Sequence, residues 1–178
     1  RDVGQTGRDG SGRGDGVAHS LGGLLLRYHL RYGKQGLPSS GGAPHLDWSG
    51  APNVGRMLFV GVPNGGSAEV VDKLVGGLGE SVASPAYSSA VLGTMPSLYQ
   101  LMPRTRYGSV FCQDTDGPVD MFDVETWQRH RWGVLDERND DELRGLLPHA
   151  STRKERVQRA TDLLDRCLTE AKRVHGSL

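Results

Sequence analysis

The sequence lacks net charge, paired cysteines and long apolar runs, and each absence argues against a class of function. Its 21 Lys and Arg residues balance 21 Asp and Glu residues, so no net charge attracts nucleic acid or an acidic membrane surface. The two cysteines, Cys112 and Cys167, form no CxxC pair, which argues against a disulfide framework and a zinc site. No apolar run reaches the ~20 residues of a membrane span. We therefore expect no transmembrane segment, no metal and no nucleic-acid partner.

The beginning of the chain also lacks two ordinary features. It starts with Arg1 rather than Met, and no basic segment followed by an apolar one marks a secretory signal. The missing signal favours a cytoplasmic location. The missing initiator leads us to expect that the sequence is a piece of a longer protein of unknown compartment.

Glycine, in contrast, is abundant and unevenly spread. The chain of 178 residues contains 26 glycines, about double the usual ~7%. Residues 1–16 combine six glycines with three Arg, three Asp and a single aliphatic residue. Such a tract buries too little apolar surface to offset its ordering entropy, so we expect it to be disordered, with a non-native origin as one interpretation. Its Arg13-Gly14-Asp15 tripeptide matches an adhesion motif, which we interpret as a chance product of this composition.

Apolar periodicity predicts the elements that follow. Residues 21–32 show helical recurrence that stops at Gly33. Residues 34–54, rich in Gly, Pro and Ser, are predicted to form a loop. The continuous apolar run at 57–62 is typical of a buried parallel strand. Residues 67–82 have helical spacing interrupted by three glycines, each costing ~1 kcal/mol relative to Ala, so we expect a soft or broken helix.

The last third of the chain contains the clearest helix. Residues 95–103 contain Met, Leu and Tyr side chains and two prolines, and residues 113–127 are acidic, so both segments are predicted to be irregular and partly exposed. A capping box at Thr152 and Glu155 then begins a long C-terminal helix. Its apolar face comprises Val157, Ala160, Leu164, Cys167, Leu168, Ala171 and Val174.

A candidate catalytic site lies at Ala18-His19-Ser20-Leu21-Gly22. This small-x-Ser-x-Gly pattern before an apolar helix is typical of a nucleophile elbow, a strained turn between a strand and a helix. Small residues are expected two positions either side of the serine, because larger side chains would collide with the neighbouring strand and the turning backbone. We predict that Ser20 is a nucleophile and that the backbone N–H of Leu21 supplies half of an oxyanion hole.

Four segments together resemble the lipase and lecithin:cholesterol acyltransferase-like family of α/β-hydrolases: VAHSLGGLLLRY, RMLFVGVPNGGS, PSLYQLMPR and DGPVDMFDVETW. In that family the small-His-Ser-x-Gly-Gly segment contains the acyl-accepting serine, which corresponds to Ser20. The strand ending in a Pro-x-x-Gly-Ser turn corresponds to residues 57–67 and leads into a cap over the active site. The SLYQL-type and FD-x-x-x-W segments correspond to residues 97–101 and 122–127. The similarity spans residues 17 to about 174.

The resemblance implies an α/β fold that is truncated at both ends. After the tract 1–16, it implies a partial α/β-hydrolase core at 17–66, a mostly helical cap at 67–150 and a C-terminal helix at 151–178. The other strands, the second oxyanion donor, the catalytic acid and the histidine of the family would then lie outside the chain. The implied activity is that of a serine lipase, esterase or O-acyltransferase acting on lipid or other carboxylic esters, with no cofactor. The cap would contact a lipid interface, and its candidate acyl-binding residues are Leu74, Leu78, Leu98, Tyr99 and Met102.

Two alternatives remain open at this stage. The order Ser20, then Asp116 or Asp120, then His130 or His149 agrees with the Ser, acid, base order of α/β-hydrolases, although six His and many Asp make order weak evidence. The chain could also be a non-catalytic module that binds a lipid or a partner protein and contains an orphan elbow serine.

Overall fold

The computed structural model describes residues 12–79, 87–107, 110–111 and 118–178. The chain forms two compact units. The first unit consists of Arg1–Asn64 together with Arg173–Leu178, and the second of Gly65–Lys172. Within the described ranges, none of the helices has both the length and the apolar character needed to span a membrane.

The first unit is built on two parallel strands and the helix that joins them. Its elements are β1 (Gly14–His19), α1 (Leu21–Tyr32), a 3-10 turn (Ala51–Asn53) and β2 (Val54–Val60). The strands are parallel, with His19 opposite Val60. α1 ends where Gly33 adopts a φ of 56°. The helix after Ser20, its end at Gly33 and the parallel strand predicted at 57–62 are therefore confirmed.

Two expectations for the first unit are wrong. Residues Gly14 to Gly16 belong to β1 rather than to a disordered tract, because they pair with β2; residues 1–11 of that tract lie outside the described residues. β2 is also not buried, since Leu58 is 58% exposed, Phe59 40% and Val60 45%. Parallel strands are usually covered on both faces, and here three consecutive apolar side chains of β2 remain open to solvent.

The second unit is mostly helical. Its helices are α2 (Ala68–Gly76), α3 (Ser89–Leu92), α4 (Pro96–Tyr99), α5 (Val124–His130), α6 (Asp140–Leu146) and α7 (Arg153–Ser177), of which α7 belongs to this unit up to Lys172. Short 3-10 turns lie at Thr105–Tyr107, Gly133–Leu135 and Glu137–Asn139. β3 (Val110–Phe111) and β4 (Pro118–Val119) pair antiparallel.

The core of the second unit contains side chains that we expected to be partly exposed. Tyr99 and Met102 are fully buried, and Trp127 and Phe122 are 1% and 7% exposed. The Tyr99 hydroxyl donates to the Gly93 carbonyl at 3.0 Å. Large apolar side chains stabilise a fold by roughly 1.5–3 kcal/mol each when buried. This gain orders α4 and α5, so the expectation of irregular structure is wrong at residues 96–99 and 124–127. Both segments are partly exposed as expected, since Met95 and Asp120 are exposed, and residues 113–117 lie outside the described residues.

The two predicted helices of this unit are present. α2 ends at Gly76, and the next glycine, Gly77, has a φ of 86°, so the helix is broken as expected. Before α7, the Thr152 hydroxyl accepts from the Glu155 backbone N–H at 3.1 Å, as a capping box requires. The Glu155 carboxylate accepts from the backbone N–H of Ser151. In a capping box it would accept from the backbone N–H of Thr152. The predicted apolar face is buried at Ala160, Leu164, Cys167, Leu168 and Ala171.

Candidate active site

Ser20 lies in a strained turn between β1 and α1. Its φ is 52° and its ψ is −130°, a conformation that costs a non-glycine residue on the order of 1–3 kcal/mol. The Ser20 N–H donates to the Val60 carbonyl at 3.1 Å, and the Gly23 N–H donates to the Ser20 carbonyl at 3.0 Å. The turn is thus tied to β2 on one side and to the first turn of α1 on the other.

Ser20 occupies the N-cap position of α1 without capping the helix. A capping serine usually has an extended backbone, and its side-chain oxygen accepts from an N–H in the first turn. Ser88, before α3, behaves in this way, with a ψ of 161° and a bond of 3.3 Å from the Val91 N–H. Ser20 makes no such bond. Capping therefore does not account for its strained backbone, and its hydroxyl is not engaged by the helix.

The backbone N–H of Leu21 is the first N–H group of α1. The first N–H groups of a helix have no acceptor within the helix and have a partial positive charge from the helix dipole. The first turn of α1 contains no acidic side chain that would neutralise this charge. A negative charge that develops beside Ser20 is therefore stabilised by the N-terminus of α1.

The close contact that we expected at Gly22 is found one residue later. A Cβ on Gly22 would have no atom within 4 Å, so the steric reason predicted for this glycine is wrong for the described residues. A Cβ on Gly23 would lie 2.2 Å from Val62 Cγ2. Ala18, the other small position, is 6% exposed and fits the expectation of a tight site.

The end of β2 lies beside the elbow. Because β1 and β2 are parallel and pair His19 with Val60, Ser20 and Gly61 follow at the same edge of the sheet. Gly61 has a φ of 54°, and a Cβ there would lie 3.8 Å from Nε2 of His19. Ligands of parallel α/β sheets bind outside the carboxyl ends of the strands. Ser20 is therefore placed at the edge that serves as a binding site in this class of sheet.

The far end of α1 is held by the last turn of α7. The Tyr32 hydroxyl and Nη1 of Arg31 donate to the Ser177 carbonyl at 2.7 Å and 3.0 Å. The ring of Tyr28 lies 4.8 Å from that of Tyr32. Burial, then the neighbouring Tyr32, raises the pKa of Tyr28, while Arg173 opposes the shift. These contacts join α1 to a segment about 145 residues away in the sequence.

Two of the candidate acids and bases, Asp120 and His130, have other partners. In the described part of the chain, the Ser20 hydroxyl has no hydrogen bond to a histidine or a carboxylate. The Asp120 carboxylate accepts from the Phe122 N–H at 2.8 Å and from the Lys172 ammonium at 3.2 Å. The ring of His130 stacks on Trp132 with centroids 4.5 Å apart. Asp120, His130 and the exposed His149 belong to the second unit, and Asp116 lies outside the described residues.

Comparison with known proteins adds no relative. No protein-family model, curated protein or solved structure matches this chain. The motifs of the sequence and the geometry around Ser20 are therefore the grounds for a proposal of function.

The candidate acyl-binding residues belong to the hydrophobic core of the second unit. Leu74, Tyr99 and Met102 are at most 1% exposed, and Leu78 and Leu98 pack against the same core. Buried in this way, the first three present no surface to a ligand. Sequence reasoning did not find a cavity of about 260 Å³ in this unit, and none of the five residues lines it. Its lining residues are Pro103, Thr105, Val110, Pro118, Val119, Asp120, Met121 and Phe122.

Proposed function

We propose that Ser20 is the nucleophile of a serine-dependent lipase, esterase or O-acyltransferase. The observation that carries this proposal is the positive φ of Ser20 in a turn between a parallel strand and a helix that the serine does not cap. Such a strained strand-to-helix turn is the setting of the nucleophile in α/β-hydrolases. The segments that resemble the lecithin:cholesterol acyltransferase-like family support the same activity.

In the proposed reaction, Ser20 Oγ attacks the carbonyl carbon of a lipid or other carboxylic ester and gives its proton to a histidine. The oxyanion of the tetrahedral intermediate accepts a hydrogen bond from the Leu21 N–H. The bond to the alcohol breaks, and the histidine returns the proton to the departing oxygen. Water then hydrolyses the acyl-serine, or a second alcohol accepts the acyl group. We propose that the histidine and its acid come from a longer form of the protein.

A second candidate function is non-catalytic binding of a lipid or a protein. It is favoured by the exposed apolar residues of the sheet, Val17, Leu58, Phe59 and Val60, which are each at least 40% exposed. It is also favoured by the absence, among described residues, of a hydrogen-bonded base at Ser20. In this case Ser20 would be a strained but unreactive serine.

Fluorophosphonate labelling in the presence of imidazole separates the two functions. Imidazole replaces the histidine as a base, so we expect slow labelling without it and faster labelling of Ser20 with it, as measured by peptide mass spectrometry. The exposed loop residue Ser39 is the internal control, and Ser20→Ala is the negative control. If Ser20 labels no faster than Ser39 when imidazole is present, the esterase proposal is wrong. Rapid labelling without imidazole would place the base within the chain.

A further inference from the structure

Arg27 joins three segments of the first unit. It lies on α1, two turns after Ser20. Its Nη1 donates to Asn64 Oδ1 at 2.7 Å, and its Nη2 donates to the Leu178 backbone oxygen at 2.7 Å. Asn64 belongs to the loop that follows β2, so one guanidinium connects α1, this loop and the end of α7. A planar guanidinium with donors on both sides suits such a junction.

A continuous series of contacts leads from Asn64 back to the elbow. The Asn64 N–H donates to the Val62 carbonyl at 2.8 Å, which closes a tight turn. The Val62 side chain lies on Gly23, so close that a Cβ on Gly23 would be 2.2 Å from it. The Gly23 N–H in turn donates to the Ser20 carbonyl at 3.0 Å. The position of Asn64 is thereby coupled to the first turn of α1.

We propose that Arg27 is a positioning residue for Ser20. By holding Asn64, it keeps Val62 against Gly23 and so fixes the N–H groups that begin α1. Arg27 acts through other residues and contacts no reacting atom. The inference rests on the proposed function for its purpose, because the reactivity that is positioned is that of Ser20. Its test uses no ester and is independent of esterase activity.

The variant Ser20→Cys reports on the elbow directly. A thiol at a helix N-terminus has a pKa below the usual ~8.5. We measure the rate of alkylation of Ser20→Cys by iodoacetamide as a function of pH, and peptide mass spectrometry separates this site from Cys112 and Cys167. Adding Asn64→Ala or Arg27→Gln should raise the pKa of the thiol and slow alkylation at neutral pH by about threefold, as expected for a weakened helix dipole. Asn64→Asp, which keeps the acceptor, should restore the rate.

Arg31→Gln is the matched control. It removes the same charge from the same helix and also loses a contact with the end of α7, but Arg31 does not bind Asn64. We expect this variant to keep the alkylation rate. An equal slowing by Arg31→Gln and Arg27→Gln would show that loss of charge or of the α7 contact is responsible, and would overturn the inference. An unchanged rate in Asn64→Ala would overturn it as well.

Hydrogen exchange at the Gly23 amide provides a second measurement with Ser20 in place. Asn64→Ala should accelerate exchange of the Gly23 amide at least as much as that of neighbouring α1 amides. Arg31→Gln should leave the exchange rate of the Gly23 amide unchanged. Asn64 is exposed, so its truncation leaves the fold intact even if Arg27→Gln does not fold. A thiol of ordinary pKa in Ser20→Cys would count against the oxyanion role of α1 in the proposed function. Unchanged Gly23 exchange would count against the Arg27 inference alone.

Discussion

The side chain of Val62 lies directly on the Cα atom of Gly23. A Cβ built on Gly23 would be 2.2 Å from Val62 Cγ2 and 2.5 Å from Cγ1, far inside contact distance. Gly23 is in the first turn of α1, and Val62 follows β2. The packing of α1 against the end of β2 therefore depends on the absence of a side chain at position 23.

Gly23→Ala should destabilise the first unit. The added methyl group must displace Val62, and overpacking of this kind costs about 1–3 kcal/mol. Chemical denaturation together with hydrogen exchange of α1 amides measures the loss. Val62→Ala in the same chain should recover part of it, because the smaller side chain leaves room for the methyl group.

Gly22→Ala is the matched control for this prediction. Position 22 is helical and has open space around its Cα. Replacing a helical glycine by alanine stabilises a helix by up to about 1 kcal/mol. We expect the same denaturation experiment to show an unchanged or higher free energy of unfolding. A loss equal to that of Gly23→Ala would contradict the packing around α1.

Ser20→Gly should stabilise the first unit while removing the proposed nucleophile. Glycine adopts a φ of 52° without the cost of about 1–2 kcal/mol that a side chain adds in left-handed conformations. We expect a gain of about 1 kcal/mol, reduced by the greater entropy of glycine in the unfolded chain. Ser39→Gly, at a residue without positive φ, should be neutral or slightly destabilising. A clear loss of stability in Ser20→Gly would count against strain at the elbow.

Leu58→Ala and Leu74→Ala test the different burial of two leucines. Leu74 is 1% exposed in the core of the second unit, so its truncation should cost about 2–5 kcal/mol. Leu58 is 58% exposed on β2, so its truncation should lower the free energy of unfolding by under about 1 kcal/mol. Denaturation of both variants gives the comparison. A cost at Leu58 close to that at Leu74 would mean that β2 is covered in solution.

Tyr99 should make the second unit sensitive to alkaline pH. Burial raises the pKa of its phenol above the ordinary value of 10.0. The folded state therefore holds the proton more tightly than the unfolded state, so this contribution to stability is complete below about pH 10 and is lost as the pH rises further. The Tyr99→Phe variant should be about 1 kcal/mol less stable than the unsubstituted protein at neutral pH, because it lacks the hydrogen bond to the Gly93 carbonyl. Above pH 10, its free energy of unfolding should decline less than that of the unsubstituted protein. Denaturation across this pH range, with tyrosinate absorbance, measures the difference.

Much of the first unit could be predicted from local sequence. The end of the strand at residues 17–19, the turn at Ser20 and the helix that ends at Gly33 follow from small residues, apolar spacing and a glycine stop within a window of about 20 residues. The first half of β1, Gly14 to Gly16, was not predicted, because its pairing with β2 is not a local property. The Gly23 contact could not be predicted, because Val62 is 39 residues away and its distance from Gly23 depends on strand register. Arg27 was not singled out for the same reason. Its partners, Asn64 and Leu178, are 37 and 151 residues distant.

The sequence by itself determined where α1 ends, at Gly33, and where α7 begins, after the Thr152 cap. These features depend on backbone hydrogen bonds and side chains only a few residues apart. Only the tertiary structure decided which apolar residues are covered. Leu58 and Leu74 are the same residue in similarly apolar segments, yet one is exposed and the other is buried. Burial depends on the elements that pack against a residue from distant parts of the chain, and no local pattern contains that information.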